Sequence, residues 1–155
     1  MPLNNFGIIA PNVYRSAQPD AHGMRLAAKD LGVTLVLKLN TREEGDTLRL
    51  SGVVIWEWPL GLTAPDDAAV VAQLRHLANA VADGQVVLVQ CTHGRDRTGF
   101  WAAAYQIVVL GWTLEQALAE RTAHGVDDFI SRLTNHSFTE ALERLAAAPK
   151  ETELL

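Results

Sequence analysis

Val86-Val87-Leu88-Val89-Gln90-Cys91-Thr92-His93-Gly94-Arg95-Asp96-Arg97-Thr98-Gly99 runs from a β-branched apolar segment, through a polar stretch carrying glycine, to the start of a second apolar run. Val86 to Val89 has strong strand preference, is preceded by Gly84, and is followed by residues too polar to continue it, so it reads as a buried parallel strand. Phe100 to Leu110 is helix-length and apolar on nearly every face, so the polar loop ends at the first turn of a buried helix. Such a loop turns unpaired backbone N–H groups and the positive end of a helix dipole into one concavity, and Gly94 lets the backbone approach what sits there. That physics favours an anion. Cys91, at the strand's end, is a thiol that ionises readily in this setting, and Arg97 follows six positions later with a planar fork suited to two phosphate oxygens. A thiolate among amides, a helix N-terminus and an arginine is the arrangement expected for phosphoryl transfer through a cysteinyl-phosphate, with Thr98 as a donor to the thiolate or to the attacking water. A lone cysteine is more often a structural thiol, and Arg97, Gly94 or Gly99 singly would be ordinary; the combination carries the reading.

These residues are recognisable. Cys91-x5-Arg97-Thr98-Gly99 resembles the phosphate-binding loop of the cysteine-dependent protein tyrosine phosphatase superfamily, and the full string from Cys91 to Gly99 is most similar to the small bacterial and atypical dual-specificity phosphatases. Asn5 to Pro19 is similar to the opening segment of those enzymes, so the resemblance extends over nearly the whole chain. It implies hydrolysis of phosphomonoesters with no metal and no cofactor, Cys91 as nucleophile and Arg97 as phosphate clamp. Thr92, His93, Gly94, Arg95 and Asp96 would complete the substrate-binding loop.

The 155 residues suit a single domain, expected over 1–148, with 149–155 a loose tail. A net charge of −5 argues against a nucleic-acid partner bound over a wide basic surface, whereas Arg95 and Arg97 in one loop suit a local anion site. One cysteine excludes an intrachain disulfide and fits a reducing compartment, and five scattered histidines give no zinc spacing. Met1-Pro2-Leu3-Asn4-Asn5 has no basic region leading into an apolar core, and the apolar run at 100–112 is too short for a bilayer, so a cytoplasmic protein without membrane insertion is expected. The oligomeric state is not legible.

Along the chain, 1–12 reads as a lead-in packing through Phe6, Ile8 and Ile9, and Val13-Tyr14-Arg15 as a short edge strand, with Arg15 either near the site or a solvated charge. Met24, Ala27, Ala28 and Leu31 mark a helix from Asp20 to the stop at Gly32. Val33–Leu39 and Val53–Trp58 read as strands. Val70, Leu74, Leu77 and Val81 mark a helix opening near Pro65 and Asp66. Thr113-Leu114-Glu115-Gln116 and Ser137-Phe138-Thr139-Glu140 read as capping boxes of two later helices, with Phe129, Ile130 and Leu133 suggesting a short helix between them. The alternation predicts an α/β fold: a central, mainly parallel sheet of about four to five strands flanked by helices on both faces. The charged turn after Leu39 lies on the side where such sheets build sites, and the resemblance adds Asn40 and Arg42 as substrate-binding candidates.

Phosphoester cleavage also needs a proton for the leaving oxygen, and relatives supply it from an aspartate on a loop after the third strand. Here Trp58-Pro59 is followed by Leu60 where the tyrosine-specific branch has aspartate. Asp66 is slightly preferred as the acid; Asp67 is its neighbour, and both are also natural helix caps. Asp96 is a third candidate and Glu57 the weakest. Gln90 stands where the family usually has a histidine that favours the thiolate; His93 partly compensates if protonated, and otherwise is a surface histidine. Arg95 adds a rim cation suited to inositol phosphates or phosphoinositides. The readings that follow are a phosphatase acting on a phosphorylated protein or small phosphomonoester, and a phosphate-binding module that has lost efficient chemistry.

Overall fold

Five short β-rich segments meet in one sheet because each carries an apolar face that water would otherwise wet. The computed structural model describes residues 3–40, 52–61, 63–125 and 136–148. Its elements are β1 (Gly7–Ala10), β2 (Val13–Ala17), α1 (Ala21–Asp30), β3 (Leu35–Lys38), β4 (Val54–Glu57), α2 (Asp67–Ala82), β5 (Val87–Cys91), α3 (Asp96–Val108), α4 (Leu114–Ala123) and α5 (His136–Ala147). The strand order is β1-β2-β5-β3-β4, with only β1 antiparallel to its neighbour. The expected α/β fold with a mainly parallel sheet is present.

Strand β5 sits in the middle, which is why Val87, Leu88 and Val89 are apolar on both faces. Val13, Leu35, Leu37, Val87 and Val89 pack on one face with α2, α3 and α5, around Phe100, Trp101 and the alanines of α3. Val36 and Leu88 pack on the other with Met24 and Ala27 of α1. Helices therefore cover both faces, unequally. The carboxyl ends of β2, β3 and β5 lie side by side at one rim, and the loops that follow them can share a site there.

Local chemistry sets the helix boundaries. Asp20 caps α1 by accepting from the Gly23 N–H at 2.8 Å. Thr113 and Gln116 form the reciprocal capping box of α4. Three expectations need correction. Residues 7–10 are not a lead-in but the edge strand β1, turned into β2 through Asn12 at φ 64°, so β2 is internal and runs on to Ala17. Ser137 does not cap α5: the helix already includes His136, and the Ser137 hydroxyl accepts from the Ala64 N–H at 2.8 Å. Helix α3 starts at Asp96, earlier than expected, which carries Arg97 and Thr98 into its first turn. The short helix around Phe129, Ile130 and Leu133, and the tail 149–155, lie outside the described residues.

Candidate active site

Cys91 is the last residue of β5 and is 4% exposed, on the same face as Val87 and Val89. Residues 92–95 bend, and α3 begins at Asp96. Arg95 at the N-cap position provides no side-chain cap, so the positive end of the α3 dipole lies next to the loop without a cap from that residue. An anion is the natural partner there.

The loop is held from outside by the body of the protein. Gly94 has φ 69°, and a Cβ there would lie 2.5 Å from the Ala17 nitrogen and 2.6 Å from the Ser16 carbonyl carbon, so only glycine lets the loop press onto β2. The Gly94 carbonyl accepts from Asn5 Nδ2 at 3.1 Å and from Arg15 Nη2 at 2.9 Å. Asn5 Nδ2 also donates to the His124 carbonyl at 2.9 Å, which ties the start of the chain, the loop and the end of α4 together. On the far side, Asn40 Nδ2 donates to Gln18 Oε1 at 2.7 Å and to Thr92 Oγ1 at 3.1 Å, joining the ends of β2, β3 and β5. With the Gly94 carbonyl and the Thr92 hydroxyl both held by the body of the protein, the loop is shaped before any ligand arrives, the condition for electrostatic preorganisation.

Behind the loop lies a buried polar cluster. Arg15 is 1% exposed, and burial lowers its pKa to about 10, an effect opposed by Glu120 and Cys91. It is still a cation at neutral pH. Burial and the neighbouring Arg15 charge push His124 below the usual imidazole range, against the pull of Glu120, whose carboxylate lies 3.2 Å from Nε2. Thr98 is fully buried in the first turn of α3, and its hydroxyl has no hydrogen-bond partner among the described residues. Arg97 is half-buried in the same turn, while His93, Arg95 and Asp96 are exposed at the rim. A cleft of about 490 Å³ opens beside the loop, bordered by Asn5, Gln18, Thr92, His93, Arg95 and His124 among others. Gln90 is buried, and strand alternation sends its side chain to the face opposite Cys91.

The carboxylates separate by what holds them. Asp67 receives two hydrogen bonds from Arg144, at 2.8 and 3.0 Å, and this pairing holds its carboxyl below the usual range. Asp66 sits exposed at the N-cap of α2 and makes no capping bond. Glu57 pairs with Lys38 at 3.9 Å on the sheet edge. The segment leading to Asp66 is rooted where Leu60 N–H donates to the Leu39 carbonyl at 2.9 Å, and is caught again at Ala64 by Ser137. Trp58 stacks between Trp56 and Trp101, with centroids 5.2 and 5.8 Å away. Arg42 lies outside the described residues. Among those residues no cluster of His, Cys, Asp or Glu could hold a metal, and no helix is long and apolar enough to cross a membrane.

Sequence reading singled out the loop itself and Asn40, but not Asn5, Gln18 or His124, and it left Arg15 open between site and solvent. One signal for Arg15 was available: in β2 it keeps phase with Val13 and Ala17, so a charge stands on the inward face of a strand. Asn5 and His124 come from chain positions 119 apart, and no local pattern joins them.

Comparison with known proteins agrees with this architecture. The chain is 36% identical over 127 residues to the dual specificity protein phosphatase TpbA of Pseudomonas aeruginosa, covering 82% of the chain and 57% of that protein; it thus spans less than two thirds of the curated relatives it matches. The crystal structure of P. aeruginosa TpbA superposes with a TM-score of 0.78 at 33% identity, over 93% of this chain and 89% of that one. A cysteine-to-serine variant of TpbA in complex with pTyr gives 0.75 at 31% identity, over 94% and 91%. A sequence profile described as the tyrosine phosphatase family matches residues 60–152, which include the whole loop from Cys91 to Gly99; the chain belongs to that family.

Proposed function

We propose that the chain is a cysteine-dependent phosphatase that cleaves phosphomonoesters through a cysteinyl-phosphate, with no metal and no cofactor. The observation that carries this is the loop Cys91–Arg97, braced from outside by Asn5, Arg15 and Asn40 and rooted on a buried thiol. The Cys91 thiolate attacks phosphorus in line, the loop amides and the Arg97 guanidinium hold the three equatorial oxygens, and the bond to the leaving oxygen breaks as a carboxylic acid protonates it. Water then cleaves the S–P bond, releasing phosphate and regenerating the thiolate. Thr98, whose buried hydroxyl has no partner among the described residues, donates to the sulfur as it leaves. Asp66 is the acid we favour, because the Arg144 pair holds Asp67 ionised. Asp96 at the loop mouth is the remaining candidate.

The pTyr complex of a relative supports a phosphotyrosine-bearing protein as substrate. Arg95 and His93 beside the open cleft favour a second reading, a substrate with further anionic groups such as an inositol phosphate. A single cysteine that must stay reduced fits the cytoplasm, and one phosphatase-like domain over 1–148 accounts for every described element. Hydrolysis of an aryl phosphate by wild type and Cys91→Ser tests the proposal. Turnover should vanish in the variant while inorganic phosphate still binds. An unaffected rate in Cys91→Ser would end the proposal, and phosphate binding without turnover in wild type would identify a phosphate-reading module instead.

A further inference from the structure

Strands β2 and β5 run parallel with Val13 opposite Val87, Arg15 opposite Val89 and Ala17 opposite Cys91. In a parallel pair, side chains at i and i+2 share a face, so Arg15 and Cys91 point to the same side of the sheet one step apart. Arg15 is 1% exposed and makes one hydrogen bond, to the Gly94 carbonyl; its Nε and Nη1 have no acceptor among the described residues. Helix α4 faces it with Glu120, Arg121 and His124, β5 with Cys91, and β1 brings Gly7 against its stem. Glu120 is coupled to it without a salt-bridge contact, and bonds His124 instead.

Burying a guanidinium without a matched carboxylate is costly, and such charges persist where something else supplies the opposite sign. Here the opposite sign comes first from Glu120 and then from Cys91, both of which favour the charged guanidinium, and the shared face of β2 and β5 sets that charge beside the sulfur. The residue beside Cys91 in the chain, Gln90, is neutral and turned to the opposite face, so it offers no cation from behind.

We propose that Arg15 is a positioning residue for the nucleophile: its guanidinium holds the Gly94 carbonyl outward and sets a fixed positive charge behind Cys91 that favours the ionised sulfur. The identity of the anion rests on the phosphatase reading, but the role of Arg15 is measurable without a substrate. Cys91 is the only cysteine, so iodoacetamide reports on one thiol.

Alkylation rates from about pH 6 to about pH 9 in wild type, Arg15→Met and Arg15→Lys are the test, alongside circular dichroism and melting. Arg15→Met should react about tenfold more slowly near pH 6.5, with the deficit shrinking as pH rises, and Arg15→Lys should recover most of the rate. A purely structural Arg15 predicts the opposite: a loosened loop exposes the sulfur and speeds alkylation by one factor at every pH, or changes nothing. Either result overturns the proposal. Should Arg15→Met fail to fold, Glu120→Gln decides: removing that negative charge should speed alkylation near pH 6.5 by about two- to threefold, and an unchanged or slower rate overturns it. A wild-type chain that shows these shifts yet hydrolyses no phosphoester keeps the role of Arg15 and refutes only the catalytic reading.

Discussion

Replacing Gly94 by alanine is the sharpest probe of the idea that the loop's shape makes the site. The new methyl group would sit 2.5 Å from the Ala17 nitrogen, 2.6 Å from the Ser16 carbonyl carbon and 2.8 Å from the Ser16 oxygen. All three are backbone atoms of β2, which is hydrogen-bonded to β1 on one side and β5 on the other, so the strand cannot yield. The loop must move instead, by roughly 1 Å to reach ordinary van der Waals separation. Holding alanine at φ 69° adds about 1–2 kcal/mol. A misplacement of roughly 1 Å at a positioned site lowers catalysis by about 100-fold. The stability lost, about 1–3 kcal/mol, corresponds to a fall of several degrees in Tm for a chain of this length. Gly94→Ala should therefore lower kcat/KM on an aryl phosphate by about 100-fold and weaken inhibition by inorganic phosphate, while the protein stays folded at room temperature. Gly32→Ala is the control: its φ of 72° imposes the same backbone strain, but a methyl group there would meet nothing within 4 Å among the described residues, far from the loop. Its kcat/KM should stay within about threefold of wild type. If Gly94→Ala also keeps kcat/KM within about threefold while phosphate binds normally, the close approach of the loop to β2 has no bearing on the chemistry.

Two further outcomes follow from the carboxylates. Asp66→Asn should slow an alkyl phosphate by about 100-fold yet leave an activated aryl phosphate within about threefold, since a good leaving group needs little protonation, whereas Asp67→Asn should treat the two substrates alike. Equal losses on both substrates in Asp66→Asn would point to a structural defect, and no loss on either would point to Asp96 as the acid. Arg144→Met should lower Tm modestly at pH 7, and the gap should close in acid. The folded-state pKa of Asp67 is depressed, so its contribution is present above the unfolded carboxylate value of about 4 and is lost as pH falls through the lower folded value. A gap that persists or widens in acid would show that the pair is not what Arg144 contributes.

The strand–loop–helix frame of the loop was legible because it is written in consecutive residues: a strand-forming run, a polar stretch with a glycine and an apolar helical run leave few ways to fold. The same holds for the Thr113–Gln116 box, whose two hydrogen bonds close within one turn. What was not legible depended on distant partners. Ser137 has the pattern of a cap, but its hydroxyl is taken by the Ala64 N–H, a contact 73 positions away. Adjacent Ile8 and Ile9 carry no sign of which faces water, and the hairpin that leaves Ile8 59% exposed and Ile9 4% exposed depends on a left-handed Asn12. That Asp67 is paired with Arg144 of α5, a contact 77 positions away, had no local sign either.

The Asn5 side chain bonds both the Gly94 carbonyl and the His124 carbonyl, partners 89 and 119 positions along the chain. The hollow therefore cannot take its final shape until segments from near opposite ends of the polypeptide have docked. During refolding, helical signal should return well before the ability to grip phosphate, so activity marks the last event of assembly and not the first. A protease cut between Asn5 and β2 would leave the sheet's central strand intact and still disarm the molecule.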